Sequence, residues 1–181
     1  MTDIWIRSAI NPAIHLRMDA SGTQNGGIGG KVNCQYYAAD TQPHYVKTNE
    51  EVFELVSLSD GVFAIHSAGV PNVFLRMDGS AVTQFNGNGS GTVNCQLGMS
   101  GPTFQDTGVF QLVSIPNSPA CALCLANHQN VFLRLDGSAM TGFSGSGGGV
   151  VNCQFYATGK QPLWTNGNNI YNEALYISGL N

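Results

Sequence analysis

Asn72 to Gln96 reads NVFLRMDGSAVTQFNGNGSGTVNCQ, and Asn130 to Gln154 reads NVFLRLDGSAMTGFSGSGGGVVNCQ. Eighteen of these 25 aligned positions are identical. A more diverged copy, AIHLRMDASGTQNGGIGGKVNCQ, runs from Ala13 to Gln35. Its central loop is two residues shorter, since Arg17 to Asn33 is 16 steps and Arg76 to Asn94 is 18. Arg17, Arg76 and Arg134 lie 59 and 58 residues apart. Self-similarity at a near-constant period is the signature of a repeated structural unit, so it governs the rest of the reading.

Each copy opens on a short apolar stretch: Ile4-Trp5-Ile6, Phe63-Ala64-Ile65 and Cys121-Ala122-Leu123. Each closes on another, at 52–56, 109–113 and 174–177. Between them stand V-F-L-R-x-D and V-N-C-Q, joined by Gly-rich loops such as Gly87-Asn88-Gly89-Ser90-Gly91. Alternation of apolar and polar residues marks strands, and glycine suits hairpins that need positive φ. No 11-residue window holds a helical period, so helix content should be low. One unit therefore reads as four strands, and three units give twelve. A lone four-stranded unit cannot bury its apolar face, but three units about a pseudo-threefold axis close a barrel and cap one end with hairpins. A propeller needs at least four blades. The expected fold is all-β: a β-trefoil of twelve strands in three pseudo-threefold repeats. It forms one domain over residues 1–181, with repeats at roughly 3–58, 61–115 and 120–179. The variable insertions fall before each fourth strand, at 36–50, 97–107 and 155–172.

The chain has 181 residues, of which 43% are hydrophobic, enough for a packed core. Charged residues make up only 10%, against about 25% in an average soluble domain. Seven Lys+Arg against eleven Asp+Glu leave a net charge of −4. That balance lacks the basic footprint of a nucleic-acid partner or of an anionic membrane surface. No apolar run has the length for membrane insertion. The N-terminus shows no basic region followed by an apolar core, so the expected location is the cytoplasm, or the exterior by a route without a signal peptide. Five cysteines are an odd number and cannot all pair within the chain. Cys34, Cys95 and Cys153 alternate in phase with Val32, Val93 and Val151, which places them in the core. Cys121 and Cys124 form a C-x-x-C without a second pair. No metal and no cofactor is expected.

Polar repetition is harder to assign to the core. Asp19, Asp78 and Asp136 each follow an arginine by two residues on one strand face. They either form local ion pairs that also hold the next turn, or clamp a ligand hydroxyl. Asn33, Asn94 and Asn152 share a face with Gln35, Gln96 and Gln154. Amides both donate and accept, as sugar hydroxyls do. The other use of these amides is to bond loop backbone that would otherwise be unsatisfied. Trp164, in the polar stretch QPLWTNGNN, offers either a flat face for a sugar ring or packing across the barrel end. All ten are candidate ligand residues. The four histidines do not align across the copies, and no nucleophile elbow, zinc-protease or phosphate-loop motif is present. Glu50, Glu51 and Glu54 read as a solvated strand entrance. Catalysis is not expected.

The pattern V-F-L-R-x-D-G, a Gly-rich hairpin and V-N-C-Q resembles the β-trefoil superfamily, in particular its fascin-like members with their Y-L-x-x-x-G element. The resemblance runs through all three copies. Trefoil relatives include sugar-binding lectins, actin bundlers, protease inhibitors and growth factors. The Q-x-W of ricin-type lectins is absent; the nearest stretch, Gln161-Pro-Leu-Trp164, has one residue too many. Met1-Thr-Asp-Ile-Trp5 is similar to the start of soluble fungal or bacterial lectins without leaders. The function this resemblance implies is a non-catalytic carbohydrate-binding lectin with up to three related sites, glycans or glycoproteins as partners, and room for a homo-oligomer. The first copy, with Ala20 in place of Gly, has the most altered site. The alternative is a protein-binding trefoil. A cytoskeletal cross-linker would need basic patches that seven Lys+Arg hardly supply. A protease inhibitor would work through one loop, such as 41–48 or 117–120.

Overall fold

Each V-F-L-R-x-D segment pairs with the V-N-C-Q segment after it, because both put apolar side chains on one face at period two. The computed structural model describes residues 3–23, 29–38, 50–99, 104–158 and 172–179. The three hairpins are β2 (Ile14–Asp19) with β3 (Gly30–Tyr36), β6 (Val73–Asp78) with β7 (Gly91–Leu97), and β10 (Val131–Asp136) with β11 (Val150–Phe155). Their register is the same three times. Leu16, Leu75 and Leu133 face Cys34, Cys95 and Cys153, and each arginine faces the asparagine of its own copy.

The outer strands close a ring. They are β1 (Asp3–Ser8), β4 (Phe53–Ser59), β5 (Val62–Ser67), β8 (Phe110–Ser114), β9 (Cys121–Leu125) and β12 (Leu175–Ser178). β1 pairs with β4, β4 with β5, β5 with β8, β8 with β9, β9 with β12, and β12 with β1, all antiparallel. Closure removes the exposed edges an open sheet would carry. The hairpins cap one end: β7 pairs with both β3 and β11, and an isolated bridge joins Cys34 to Gly148. Helix is confined, among the described residues, to α1 (Phe104–Thr107) and one 3-10 turn at Ala20–Gly22. No helix there is long and apolar enough to cross a membrane.

The core is threefold in composition. Ile6, Ile65 and Leu123 come from the first strands, the three leucines from the second, and Phe53, Phe110 and Leu175 from the fourth. Each such side chain contributes about 1.5–3 kcal/mol by burial. All five cysteines are free, with Cys34, Cys95 and Cys153 buried. Burial pushes those three thiols up to about 12, so they stay protonated. The cysteines in turn explain why a glycine recurs opposite them. A Cβ at Gly30 would run into Cys95 Sγ, and one at Gly91 into Cys153 Sγ. A Cβ at Gly149 would sit 3.2 Å from Cys34 Cβ. The glycine that opens each third strand thus packs closely against the cysteine of the next copy around the ring.

The acidic cluster is a correction to the sequence reading. Glu51 and Glu54 are buried. Glu54 lies directly across β4–β5 from His66, with Oε2 at 3.2 Å from Nε2. Glu51 accepts the hydroxyl of Tyr37. Their partners sit on β5 and just after β3, which nothing local in the sequence announces.

Candidate functional site

The Arg-x-Asp pairs end the second strand of each copy and shape the turn that follows. Asp19, Asp78 and Asp136 accept the N–H groups of Ser21, Ser80 and Ser138 at 2.9, 3.1 and 3.1 Å. The neighbouring arginines reach the same carboxylates at 3.5, 3.0 and 2.8 Å. Bonds from Ser21 and Ser80 hold the Asp19 and Asp78 carboxyls below their usual range, with the arginines adding to the effect. At Asp136 burial opposes this, and the Ser138 and Arg134 bonds outweigh it. Arg17 is further occupied by Glu50, by Asn33 Oδ1 at 3.3 Å and by the Ser146 carbonyl at 3.0 Å. The pairs organise the turns, and the aspartates remain partly exposed at the rim.

In copies one and three the amides tie the copy to the loop of the copy before it. Gln154 is fully buried; its Oε1 accepts the N–H groups of Asn86 and Phe155, and its Nε2 donates to Asn86 Oδ1, each at 3.2 Å. Asn152 Nδ2 donates to the Asn88 carbonyl at 2.8 Å. Around the ring, Gln35 is 1% exposed, accepts Ser144 N–H at 3.1 Å and donates to the Ser144 carbonyl. Asn33 Nδ2 donates to the Ser146 carbonyl at 2.9 Å. In the remaining copy, Gln96 donates to the Gly98 carbonyl at 3.0 Å, and Asn94 accepts from Arg76 at 3.5 Å.

The structure gives these amides a role in holding the protein's own backbone. Asn33, Gln35, Gln96 and Gln154 are buried; Asn94 and Asn152 are half-buried. A buried amide must find partners, and for Asn33, Gln35 and Gln154 the Gly-rich loops supply them. Trp164 and the loop at 41–48 lie outside the described residues. Truncating Gln154 to alanine should cost about 2 kcal/mol, because it removes the acceptor of the Asn86 and Phe155 N–H groups and opens a cavity where a fully buried side chain stood. Urea unfolding reads the loss, and hydrogen exchange should show it concentrated at the Asn86 and Phe155 amides. Unchanged stability would contradict the clamp.

Among the described residues, three grooves open to solvent at matching places of the three copies. Each lies between the turn after one copy's second strand and the first turn of the next copy. The groove between copies two and three has a volume of about 450 Å³ and is lined by Ser80, Thr83, Asn127, His128, Gln129 and Asn130, with Phe155 as its aromatic wall. The groove between copies one and two is as large but largely apolar, with Met18, Val70, Val73 and Leu97. Its two carboxylates, Asp19 and Glu50, both bond the Arg17 guanidinium. The groove between copies three and one is smaller, about 190 Å³, and includes Asn11, Ser138, Met140 and Asn172. The turn residues differ between copies: Asn11, Val70 and His128 occupy the same place, each giving its carbonyl to the residue three later. These positions leave no repeat in the sequence, because their side chains differ in every copy.

Aromatic rings border two of the lobes. Phe85 packs on Tyr156 with ring centroids 5.2 Å apart, and Phe143 packs on Tyr37 at 5.5 Å. Behind them, Phe132 meets Tyr156 edge-on and His15 meets Tyr37 edge-on. In the second copy Phe104 of the insertion takes the tyrosine's place against Phe74.

No protein-family profile and no curated protein sequence matches the chain. Solved structures do. The designed threefold-symmetric protein ThreeFoil superposes with a TM-score of 0.59 at 15% identity, covering 97% of this chain and 96% of its own. The chain has the β-trefoil fold. The trefoil also matches a Polyporus squamosus lectin bound to the epitope Neu5Aca2-6Galb1-4GlcNAc, with a TM-score of 0.56, 12% identity, and coverage of 98% of this chain and 49% of that one. SeviL bound to the asialo-GM1 saccharide matches with a TM-score of 0.51 at 12% identity, over 100% and 99% of the two chains. A mosquitocidal holotoxin matches at 0.63 and 10% identity over 99% of this chain, which spans only 17% of the toxin. At these identities the likeness carries the trefoil and not its ligand.

Proposed function

We propose that this single-domain trefoil is a non-catalytic carbohydrate-binding protein, and that its principal site is the groove between copies two and three. The observation that carries this is the lining of that groove. Ser80, Thr83, Asn127, His128, Gln129 and Asn130 present hydroxyls, amides and an imidazole around an aromatic wall. Neutral groups that donate and accept suit a ligand whose hydroxyls do both. Residues 79 to 97 contain no Asp, Glu, Lys or Arg, so nothing on the turn or loop beside the groove selects a charged partner. A volume near 450 Å³ falls within the range of small-ligand sites. The aspartates contribute by fixing the turn that carries Ser80 and Ser138. Two solved trefoil neighbours bound to saccharides add support at the level of the fold. The carboxylates in the groove between copies one and two share one guanidinium and do not form the separated acid and base of a glycosidase.

A glycan array that includes the Neu5Aca2-6Galb1-4GlcNAc and asialo-GM1 saccharides tests the reading. We expect binding of at least one glycan, weakened by about tenfold in a His128→Ala/Gln129→Ala double variant that melts at the wild-type temperature. Folded protein that binds nothing on the array sinks the proposal.

A further inference from the structure

Two phenylalanines stand at the tips of Gly-rich loops with most of their surface in water. Phe85 is 54% exposed and Phe143 is 65% exposed. They are 58 residues apart and occupy the same place in copies two and three. Exposed aromatic residues at matching positions of a duplicated loop need a reason beyond the core. Both rings are held firmly. Each rests on a tyrosine, Tyr156 or Tyr37, and that tyrosine's hydroxyl bonds a buried glutamate, Glu173 or Glu51. The residue after each phenylalanine, Asn86 or Ser144, is clamped by the buried Gln154 or Gln35. The third lobe has lost both members of the pair. Gly98 replaces the tyrosine, and the short loop of copy one, from Gln24 to Ile28, contains no aromatic residue.

We propose that Phe85 and Phe143 are the stacking floors of two pyranose sites, one per lobe, and that the chain is a two-site glycan cross-linker. This rests on the carbohydrate reading above and adds its valency and its contact residues. A ring face attracts the partial positive charge of C–H groups, and a pyranose offers such a face with hydroxyls around its edge. Galactose offers the most continuous face of this kind, because its axial hydroxyl leaves an unbroken C–H patch on the opposite side. The surroundings fit that edge. Thr83 and Phe155, both in the groove between copies two and three, lie two residues before Phe85 and one before Tyr156. Residues 137–155, like 79–97, carry no charged side chain. That neutrality favours a sugar over an anionic lipid headgroup. Because rings and loops are already locked, little ordering entropy opposes binding.

The test uses the full chain with free Galβ1-4GlcNAc in calorimetry, and with the same disaccharide clustered on albumin in a precipitation assay. Wild type should bind two disaccharides per chain and precipitate the conjugate. Phe85→Ala and Phe143→Ala should each leave one site, weaken the altered site by about tenfold and abolish precipitation. Phe85→Trp and Phe143→Trp should keep both sites, which separates stacking from any loss of folding. Three sites per chain, or alanine variants that still precipitate the conjugate, would overturn the two-site proposal while leaving carbohydrate binding intact. Wild type that ignores this disaccharide but binds other glycans also overturns it. Association with phosphatidylcholine vesicles that is lost in the alanine variants, with disaccharide binding unchanged, overturns it in favour of a lipid. A folded chain that binds no glycan at all removes the carbohydrate reading together with it.

Discussion

Replacing His15 with phenylalanine should raise stability at pH 4.5 by about 3 kcal/mol and leave stability at pH 7 nearly unchanged. His15 is 1% exposed, and no hydrogen-bond partner for its Nδ1 lies among the described residues. Burial, with Arg7 second, lowers its pKa from 6.5 to about 4. The folded state therefore holds the neutral ring, while the unfolded chain takes up a proton below 6.5. His15 contributes stability that is present above pH 6.5 and is lost as pH falls towards 4. At about 1.4 kcal/mol per pH unit, the loss reaches about 3 kcal/mol. Phenylalanine is the natural replacement, because Phe74 and Phe132 hold the same position in the other copies and also meet an aromatic edge. Glu50, Glu51 and Glu173 act in the opposite sense. Burial raises their carboxyls, so they lend stability as pH falls through their folded values. The wild-type curve therefore mixes both effects. The difference between variant and wild type, from urea titrations at pH 4.5, 5.5 and 7, isolates the histidine. A constant difference across that range would show that His15 is not the acid-sensitive group.

Adding one methyl group at Gly91 should cost about 3 kcal/mol, which lowers the melting temperature of a chain this size by roughly 6–12 °C. A Cβ there would meet Cys153 Sγ, Val82 Cγ2 at 2.9 Å and the Asp78 carbonyl at 2.8 Å. None of these atoms is the free end of a mobile side chain. Gly142 is the contrast: it has no neighbour in reach of an added Cβ and no positive φ, so Gly142→Ala should be close to neutral. Calorimetric scans of the two variants check the pair. Equal melting temperatures would contradict the tight junction between consecutive copies.

The threefold architecture was legible because core side chains repeat with it. Leu16, Leu75 and Leu133, and the valine and cysteine positions, alternate in phase in every copy. The role of the amides could not be read from the sequence for a physical reason. Gln35 and Gln154 each hold the preceding copy's loop, and Asn86, the partner of Gln154, stands 68 residues away. A ligand contact and a loop clamp leave the same trace in a sequence. The grooves were invisible for the opposite reason: Asn11, Val70 and His128 share a location but not a chemistry. Phe85 and Phe143 did repeat, but only burial distinguishes an exposed loop ring from one in the core.

A crystal structure of the chain with its best-binding neutral glycan tests the central claim most directly. The account predicts a sugar in the groove lined by Ser80, Thr83 and His128, its ring face against Phe85, with Gln154 still bonded to Asn86. A sugar that displaces the loop and bonds Asn152 and Gln154 itself, or one seated in the apolar groove beside Val70 and Leu97, would contradict it.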